Sequence, residues 1–174
     1  MEKTEVEKTE FEILTEKATK LAWKYEQIYG GCAQVVLASV KETLGHVEDG
    51  VFQSATGLAG GIGRSGHACG ALVGGVMALS CFWGRPYDDF ADPGKRRALC
   101  LDMSKKLVEK FQSEYGSAEC HGVHRKILGR AYDLSDPQEF ERFVRDGGHD
   151  DKCPSVCANA VNWVFEILNN ENLI

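Results

Sequence analysis

The sequence predicts an all-α fold, arranged as a compact single-domain bundle of about six to seven helices. Over most of the chain, apolar residues recur at alternating steps of three and four, the spacing that lines one face of a helix. No segment shows the sustained period-two alternation that is typical of a half-buried strand. Glycines and prolines interrupt the periodic segments and indicate where helices end.

Length and charge narrow the class of protein. The 174 residues suffice for one sizeable core, so we predict a single domain over residues 1–174, with residues 1–10 flexible. The net charge is −6 and the basic residues are scattered, which argues against a nucleic-acid partner. The longest run of low charge, residues 71–83, is well short of the ~20 residues that span a bilayer, so we expect no membrane segment. The acidic N-terminus does not resemble a signal peptide, and we expect a cytoplasmic protein.

Two helices are predicted in the first quarter of the chain. Apolar side chains between residues 11 and 28 fall on one helix face. Gly30 and Gly31 are predicted to end this first helix, and Cys32 begins a second apolar helix that Gly45 closes. A short third helix is predicted over residues 51–58.

A glycine-rich segment, residues 57–70, follows these helices. Each glycine inside a helix costs roughly 1 kcal/mol relative to alanine, so we predict a loop here. Regular structure resumes with a helix at Cys69. Its small residues Gly70, Gly74 and Ala78 are four apart and would allow another helix to approach closely, either in the core or across a homodimer interface.

The second half of the chain is also predicted to be helical. Residues 84–95 combine prolines, glycines and charged side chains and are predicted to form an exposed loop. Three further helices are predicted. The first covers Arg96–Tyr115 and ends at Gly116. The second is capped by Ser117 and runs through residues 120–128, and the third is a short amphipathic helix around Phe140 and Phe143. A last helix begins near Asp151, with Pro154 in its first turn.

Seven cysteines are many for a reducing compartment, where metal and redox uses are commoner than stable disulfides. Four of them lie in or next to the first turn of a predicted helix: Cys32, Cys69, Cys120 and Cys153. The unpaired N–H groups and partial positive charge of a helix start favour the thiolate and lower the pKa of a cysteine. If these helix starts converge, four thiolates could hold a zinc ion or an iron–sulfur cluster.

The other three cysteines are weaker candidates. Cys157 follows Cys153 by four residues on the same helix face, and it is a further ligand, a resolving thiol or a core residue. Cys81 and Cys100 lie amid apolar neighbours, and we expect both to be buried without a role in the site. The chain contains no C-x-x-C pair and no C-x-x-C-H motif, so neither thioredoxin-like chemistry nor covalently attached haem is expected.

Histidines lie close in sequence to the key cysteines. His67 comes two residues before Cys69, His121 and His124 follow Cys120 closely, and His149 comes four residues before Cys153. Mixed ligation of a metal by cysteine and histidine is therefore a further hypothesis. The alternative is that these histidines are ordinary residues of polar loops.

The sequence around these cysteines closely resembles the C_GCAxxG_C_C family. Residues 69–74, CGALVG, fit the CGAxxG signature of that family, and the resemblance extends over about residues 18–163. It implies that the remaining family cysteines correspond to Cys32, Cys120 and Cys153, with Cys157 as a competing position for the last one. The family is described as redox-active, and its helical domain is similar to part of the split-Soret cytochromes, which bind haem and are associated with an iron–sulfur site. Because this chain lacks a haem attachment motif, the resemblance implies the cysteine site without the haem.

Three functions are open at this point. The first is a cysteine-ligated metal or iron–sulfur protein that exchanges electrons with a redox partner protein or senses redox state. The second is a metal-free thiol–disulfide oxidoreductase, which would use Cys153 and Cys157 or another pair. The third is a non-catalytic, dimeric binding module whose cysteines are structural. A homodimer is compatible with all three, because the small residues of the glycine-rich helix permit close packing.

Overall fold

The computed structural model describes residues 8–174, and this part of the chain contains eight α-helices and no strand. In chain order the helices are α1 (Glu10–Tyr29), α2 (Cys32–Leu44), α3 (Asp49–Ser54), α4 (Gly70–Trp83), α5 (Arg96–Tyr115), α6 (Cys120–Leu128), α7 (Pro137–Arg145) and α8 (Cys153–Asn170). The all-α prediction is confirmed, whereas the predicted count of six to seven is too low. The short helix predicted over residues 51–58 is present as α3, which is followed by a 3₁₀ turn over Thr56–Leu58.

The boundaries of the long helices agree with the sequence prediction. Gly30 and Gly31 turn the chain from α1 into α2 with positive φ angles of 62° and 82°, a conformation that glycine adopts without strain. Helix α5 covers the predicted residues and ends at Gly116. At its N-terminus, α1 begins at Glu10 with Thr9 as its cap, so residues 9 and 10 are structured, while residues 1–7 of the segment predicted to be flexible lie outside the described residues.

The core is formed where α1, α2, α4, α5 and α8 pack on one another. Helix α8 lies along α1 and also contacts α2, α4 and α5. Its side chains Val161, Val164 and Phe165 are completely buried. The ring of Trp163 packs edge-to-face on Phe111 of α5, with ring centroids 5.2 Å apart. Among the helices of residues 8–174, none is long and apolar enough to cross a membrane.

The small residues of α4 are used inside the chain. Gly70, Gly74 and Ala78 are all buried, and α4 packs closely against α2. A Cβ atom on Gly74 would lie 2.5 Å from the carbonyl oxygen of Ala33, so only glycine permits this approach of the two helices. The prediction of a core helix is correct. The alternative, in which these residues form a dimer interface, is not supported, because α2 packs against α4 within the chain.

The glycine-rich segment is a loop, as predicted, and it has an unusual backbone. All five residues from Gly60 to Arg64 have positive φ angles between 59° and 74°. Main-chain hydrogen bonds hold this left-handed turn, including Gly63 N–H to the Gly57 carbonyl at 2.7 Å. Two of the five, Ile62 and Arg64, are not glycine and are strained in this conformation. The loop therefore has a defined shape, which it presents to the starts of α2 and α6.

Candidate cysteine site

The four cysteines at helix starts converge on one cavity of about 290 Å³. Cys32, Cys120 and Cys153 are the first residues of α2, α6 and α8, and Cys69 is the residue that caps α4. The predicted position at a helix start is confirmed for Cys32, Cys69 and Cys120, whereas Cys153 begins α8 as the continuation of a π-helical turn over Gly148–Lys152 and donates its N–H to the Gly148 carbonyl. Cys157, one turn further along α8, lines the same cavity, so five of the seven cysteines meet there.

A short antiparallel bridge holds the segments that carry Cys69 and Cys120. Ala68 pairs with Glu119 immediately before the two helices begin. The Cys69 N–H donates to the Ala118 carbonyl at 2.9 Å, and the Cys120 N–H donates to the His67 carbonyl at 2.6 Å. These bonds fix two cysteines that are far apart in sequence next to each other.

Glycines make room for the cysteine side chains. A Cβ atom on Gly70 would overlap the Cys32 sulfur, and it would lie 3.0 Å from the Leu58 carbonyl oxygen. A Cβ atom on Gly61 would lie 2.8 Å from the Cys120 Cβ. The Gly-rich loop and the first residue of α4 thus approach the site as closely as a backbone without side chains allows.

Burial dominates the electrostatics of the thiols. It raises the pKa of all five cavity cysteines above the ordinary value, to about 12 for Cys120. At Cys69, hydrogen bonding to the backbone of Leu72 and Ala71 lowers the pKa, but by less than burial raises it. The prediction that helix starts leave these cysteines with low pKa values is therefore wrong for the metal-free protein. Desolvation of a thiolate in the enclosed cavity outweighs the N–H groups of the helix start.

A buried carboxylate shares the cavity with the thiols. Glu26 of α1 is 3% exposed, and its Oε2 atom has no hydrogen-bond partner among residues 8–174. Its other oxygen, Oε1, lies 3.5 Å from His149 Nδ1. Sequence reasoning missed Glu26, although a signal was present: it continues the buried row of α1 at Ala18 and Ala22, spaced by four.

Two histidines also line the cavity. His124 is 3% exposed, and its Nε2 atom lies 3.5 Å from the Cys120 sulfur, while its Nδ1 atom has no partner. Burial lowers the pKa of His124 to about 4, with smaller contributions from the charges of His121 and His149. Both histidines pack on Phe143: His124 stacks on the ring with centroids 5.2 Å apart, and His149 contacts it edge-on with centroids 5.1 Å apart.

Of the four histidines named from the sequence, His124 and His149 line the cavity, whereas His67 and His121 lie elsewhere. His67 is exposed, and His121 contacts the Tyr132 carbonyl through Nε2 at 3.2 Å; neither lines the cavity. Cys81 and Cys100 are also outside it, although they are half-buried rather than fully buried. Sequence proximity to a cysteine named all four histidines but could not separate the two at the cavity from the other two, because residues adjacent to a helix start point in different directions.

The potential metal-binding side chains line a cavity and do not converge on the position of a single ion. Within residues 8–174, no group of three or more His, Cys, Asp or Glu side chains is arranged to hold a metal ion. The five thiols, the Glu26 carboxylate and the two imidazoles instead face the cavity. Soft sulfur ligands therefore predominate, and oxygen and nitrogen donors are present in smaller number.

The fold and the site define an all-α protein whose cysteines, drawn from four separate helix starts, share one cavity. Residues 31–167 match the family described as "Putative redox-active protein (C_GCAxxG_C_C)", and the chain belongs to this family. The matched region includes all five cavity cysteines and confirms the resemblance noted in the sequence.

A curated relative gives no further information on activity. An "Uncharacterized protein" of Archaeoglobus fulgidus is 31% identical over 98 residues, which cover 56% of this chain and 56% of that protein. The chain thus matches little more than half the length of this relative. No solved structure matches the chain.

Proposed function

We propose that the protein binds an iron–sulfur cluster in the cysteine cavity and uses it for electron transfer or redox sensing. In this proposal Cys32, Cys69, Cys120 and Cys153 are the ligands. The observation that carries it is the convergence of these four residues, from four helix starts distant in sequence, on one cavity. Cysteine thiolates are the usual ligands of iron–sulfur clusters, and bound iron would supply a centre that takes up and releases one electron.

The size of the cavity favours a cluster over a single zinc ion. A structural zinc site is closed, with four ligands drawn to about 2.3 Å from one ion when all are sulfur. Here the thiols stand around a space of about 290 Å³, and in the described part of the chain no three ligand side chains are gathered for a single ion. A group of several atoms fits this arrangement better. Zinc remains the alternative occupant, and a metal assay separates the two.

Backbone groups at the site favour bound thiolates. Cys69 caps α4, where hydrogen bonding to the backbone of Ala71 and Leu72 lowers its pKa. The backbone of Gly60 acts on Cys32 in the same direction. Hydrogen bonds to cysteine sulfur are one of the means by which a protein sets the reduction potential of a cluster. A cation in the cavity would also compensate the desolvation that keeps the thiols protonated in the metal-free protein.

The metal-free thiol–disulfide oxidoreductase receives less support. A nucleophilic cysteine needs a pKa near or below the ambient pH, and burial shifts the pKa of every cavity cysteine in the opposite direction. The dimeric binding module is also weakened, because the small residues of α4 pack inside the chain. A homodimer, a redox partner protein and a cytoplasmic location stay predictions that belong to this proposal.

Metal analysis with matched cysteine variants tests the proposal. The protein is purified without oxygen and reconstituted with iron and sulfide, and iron, zinc, acid-labile sulfide and visible absorption are measured per chain. We expect a brown protein with stoichiometric iron and sulfide, which Cys69→Ser loses and Cys100→Ser retains, since Cys100 lies outside the cavity. Stoichiometric zinc without iron would show that the cavity holds a zinc site and not an iron–sulfur cluster. A colourless protein that binds neither metal would overturn the proposal.

A further inference from the structure

The Glu26 carboxylate is the feature of the cavity that the cysteine site does not explain. It is almost completely buried, it faces the same cavity as the thiols, and within residues 8–174 its Oε2 atom has no hydrogen-bond partner. His149 Nδ1 lies 3.5 Å from Oε1, at ion-pair distance but without a hydrogen bond. A buried polar group without a hydrogen-bond partner is unfavourable. Among the described residues, no hydrogen bond offsets this cost at Oε2.

Glu26 differs in size and polarity from the other buried residues of α1. The other buried residues of this helix, Thr15, Ala18 and Ala22, are small. They allow α1 to lie closely along α8, which carries Cys153 and Cys157. Glu26 ends this row at the level of the cavity, where a longer side chain reaches into the space between the helices. The long, polar side chain of Glu26 therefore faces the cavity and does not take part in helix packing.

Cysteines of two different helices share the cavity with Glu26: Cys32 of α2, and Cys153 and Cys157 of α8. The carboxylate therefore faces the same space as thiols that are distant from it in sequence. The same arrangement becomes favourable once a metal cation lies between these groups, because the carboxylate then faces a positive charge.

We infer that Glu26 is an oxygen ligand of the metal centre, which makes the site a mixed cysteine–carboxylate site. This inference rests on the proposed function, since it requires a metal in the cysteine cavity. Asp and Glu oxygens are established metal ligands beside cysteine and histidine. His149 lies against the other carboxylate oxygen and against the Phe143 ring, so it restricts the orientation of Glu26 as a second-layer partner does in other metal sites.

X-ray absorption at the edge of the bound metal tests this role directly, because it separates sulfur from oxygen or nitrogen neighbours and does not depend on activity. The variants are Glu26→Leu, which removes the carboxylate at similar volume, and Glu109→Gln, an exposed glutamate of α5 outside the cavity. We expect a minor oxygen or nitrogen shell in the wild type and in Glu109→Gln that is absent in Glu26→Leu. We also expect the gain in Tm on metal loading to be smaller in Glu26→Leu, which should fold at least as stably without metal.

The outcomes separate the two proposals. An all-sulfur shell in the wild type, unchanged in Glu26→Leu, would overturn the role of Glu26 and leave the metal site intact. An oxygen or nitrogen shell that persists in Glu26→Leu would also overturn it and would assign the extra ligand to a histidine such as His124. A wild-type protein that binds neither iron nor zinc after reconstitution would overturn the proposed function and this inference together.

Discussion

The sulfur of Cys32 lies where a side chain on Gly70 would have to be. Cys32 begins α2 and Gly70 begins α4, and the absence of a Cβ atom at Gly70 lets the two helix starts meet. Four residues later, Gly74 gives the backbone of Ala33 the same close approach. The spacing of the two glycines in the CGALVG segment therefore has a physical cause: they join α4 to the start of α2 and place Cys69 beside Cys32.

Gly70→Ala should disturb the site and the fold together. The added methyl group would overlap the Cys32 sulfur and crowd the Leu58 carbonyl, so either the thiol or the helix must move. Overpacking of this kind costs about 1–3 kcal/mol in the free energy of unfolding. Urea unfolding measures that loss, and metal content measures the displacement of Cys32. Gly50→Ala is the control: nothing lies within 4 Å of its Cβ position in α3, so it should be neutral or stabilising. Equal stability of the two variants would show that the α2–α4 contact can relax.

Much of the fold could be predicted because glycine marks the helix ends. The pair Gly30 and Gly31 separates α1 from α2, and Gly116 ends α5, as the sequence indicated. Local rules of this kind also placed four cysteines at helix starts. The family signature then indicated that these starts belong to one site. Local rules could not predict the direction in which each side chain points from its helix start.

The rest of the site depends on packing between distant segments. Glu26 is separated from the nearest cavity cysteine in sequence by the Gly30–Gly31 turn, and only the packing of α1 on α8 brings it to the cavity. His124 and His149 line the cavity and both pack on Phe143, whereas His121 contacts Tyr132. The direction of the cysteine pKa shifts likewise follows from burial, a tertiary property, which here outweighs the local effect of the helix start.

Alkylation of the metal-free, reduced protein should be slow at the cavity. Burial raises the pKa of the five cavity thiols, so little thiolate is present near neutral pH. We expect iodoacetamide at pH 7.5 to modify these five positions much more slowly in the folded protein than in urea, as measured by mass spectrometry of the peptides. A cavity cysteine that reacts faster in the folded protein than in urea would contradict this expectation and would favour the thiol–disulfide oxidoreductase.

The metal-free protein should lose stability between pH 6.5 and pH 4. The pKa of His124 is about 4 in the fold and near its ordinary value of 6.5 in the unfolded chain, chiefly because of burial. Over this interval the unfolded chain binds a proton that the folded protein does not, so lowering the pH favours unfolding. The loss is on the order of 3 kcal/mol. Urea unfolding at pH 6.5, 5.5 and 4.5 measures it, and the slope should be shallower in His124→Gln but unchanged in His67→Gln. Parallel slopes in all three proteins would show that His124 is protonated as easily in the fold as outside it.

Ile62→Gly should stabilise the glycine-rich loop. Ile62 has a φ angle of 64°, and a left-handed conformation costs a residue with a side chain roughly 1–2 kcal/mol. Glycine removes this strain, but its greater conformational freedom in the unfolded chain lowers the free energy of unfolding by about 0.5–1 kcal/mol. Since the Ile62 side chain is 46% exposed, little burial is lost, and we expect a net gain of up to about 1 kcal/mol in urea unfolding.

Ile13→Gly is the matched control, because Ile13 is similarly exposed but lies in the regular helix α1. There the same replacement should lower the free energy of unfolding by roughly 1 kcal/mol. If both variants lose stability equally, the Ile62 side chain contributes packing that outweighs its strained backbone. If only Ile13→Gly loses stability, the strain at Ile62 is real, and the hydrogen bonds that hold residues 60–64 in shape beside Cys32 and Cys120 are strong enough to impose it.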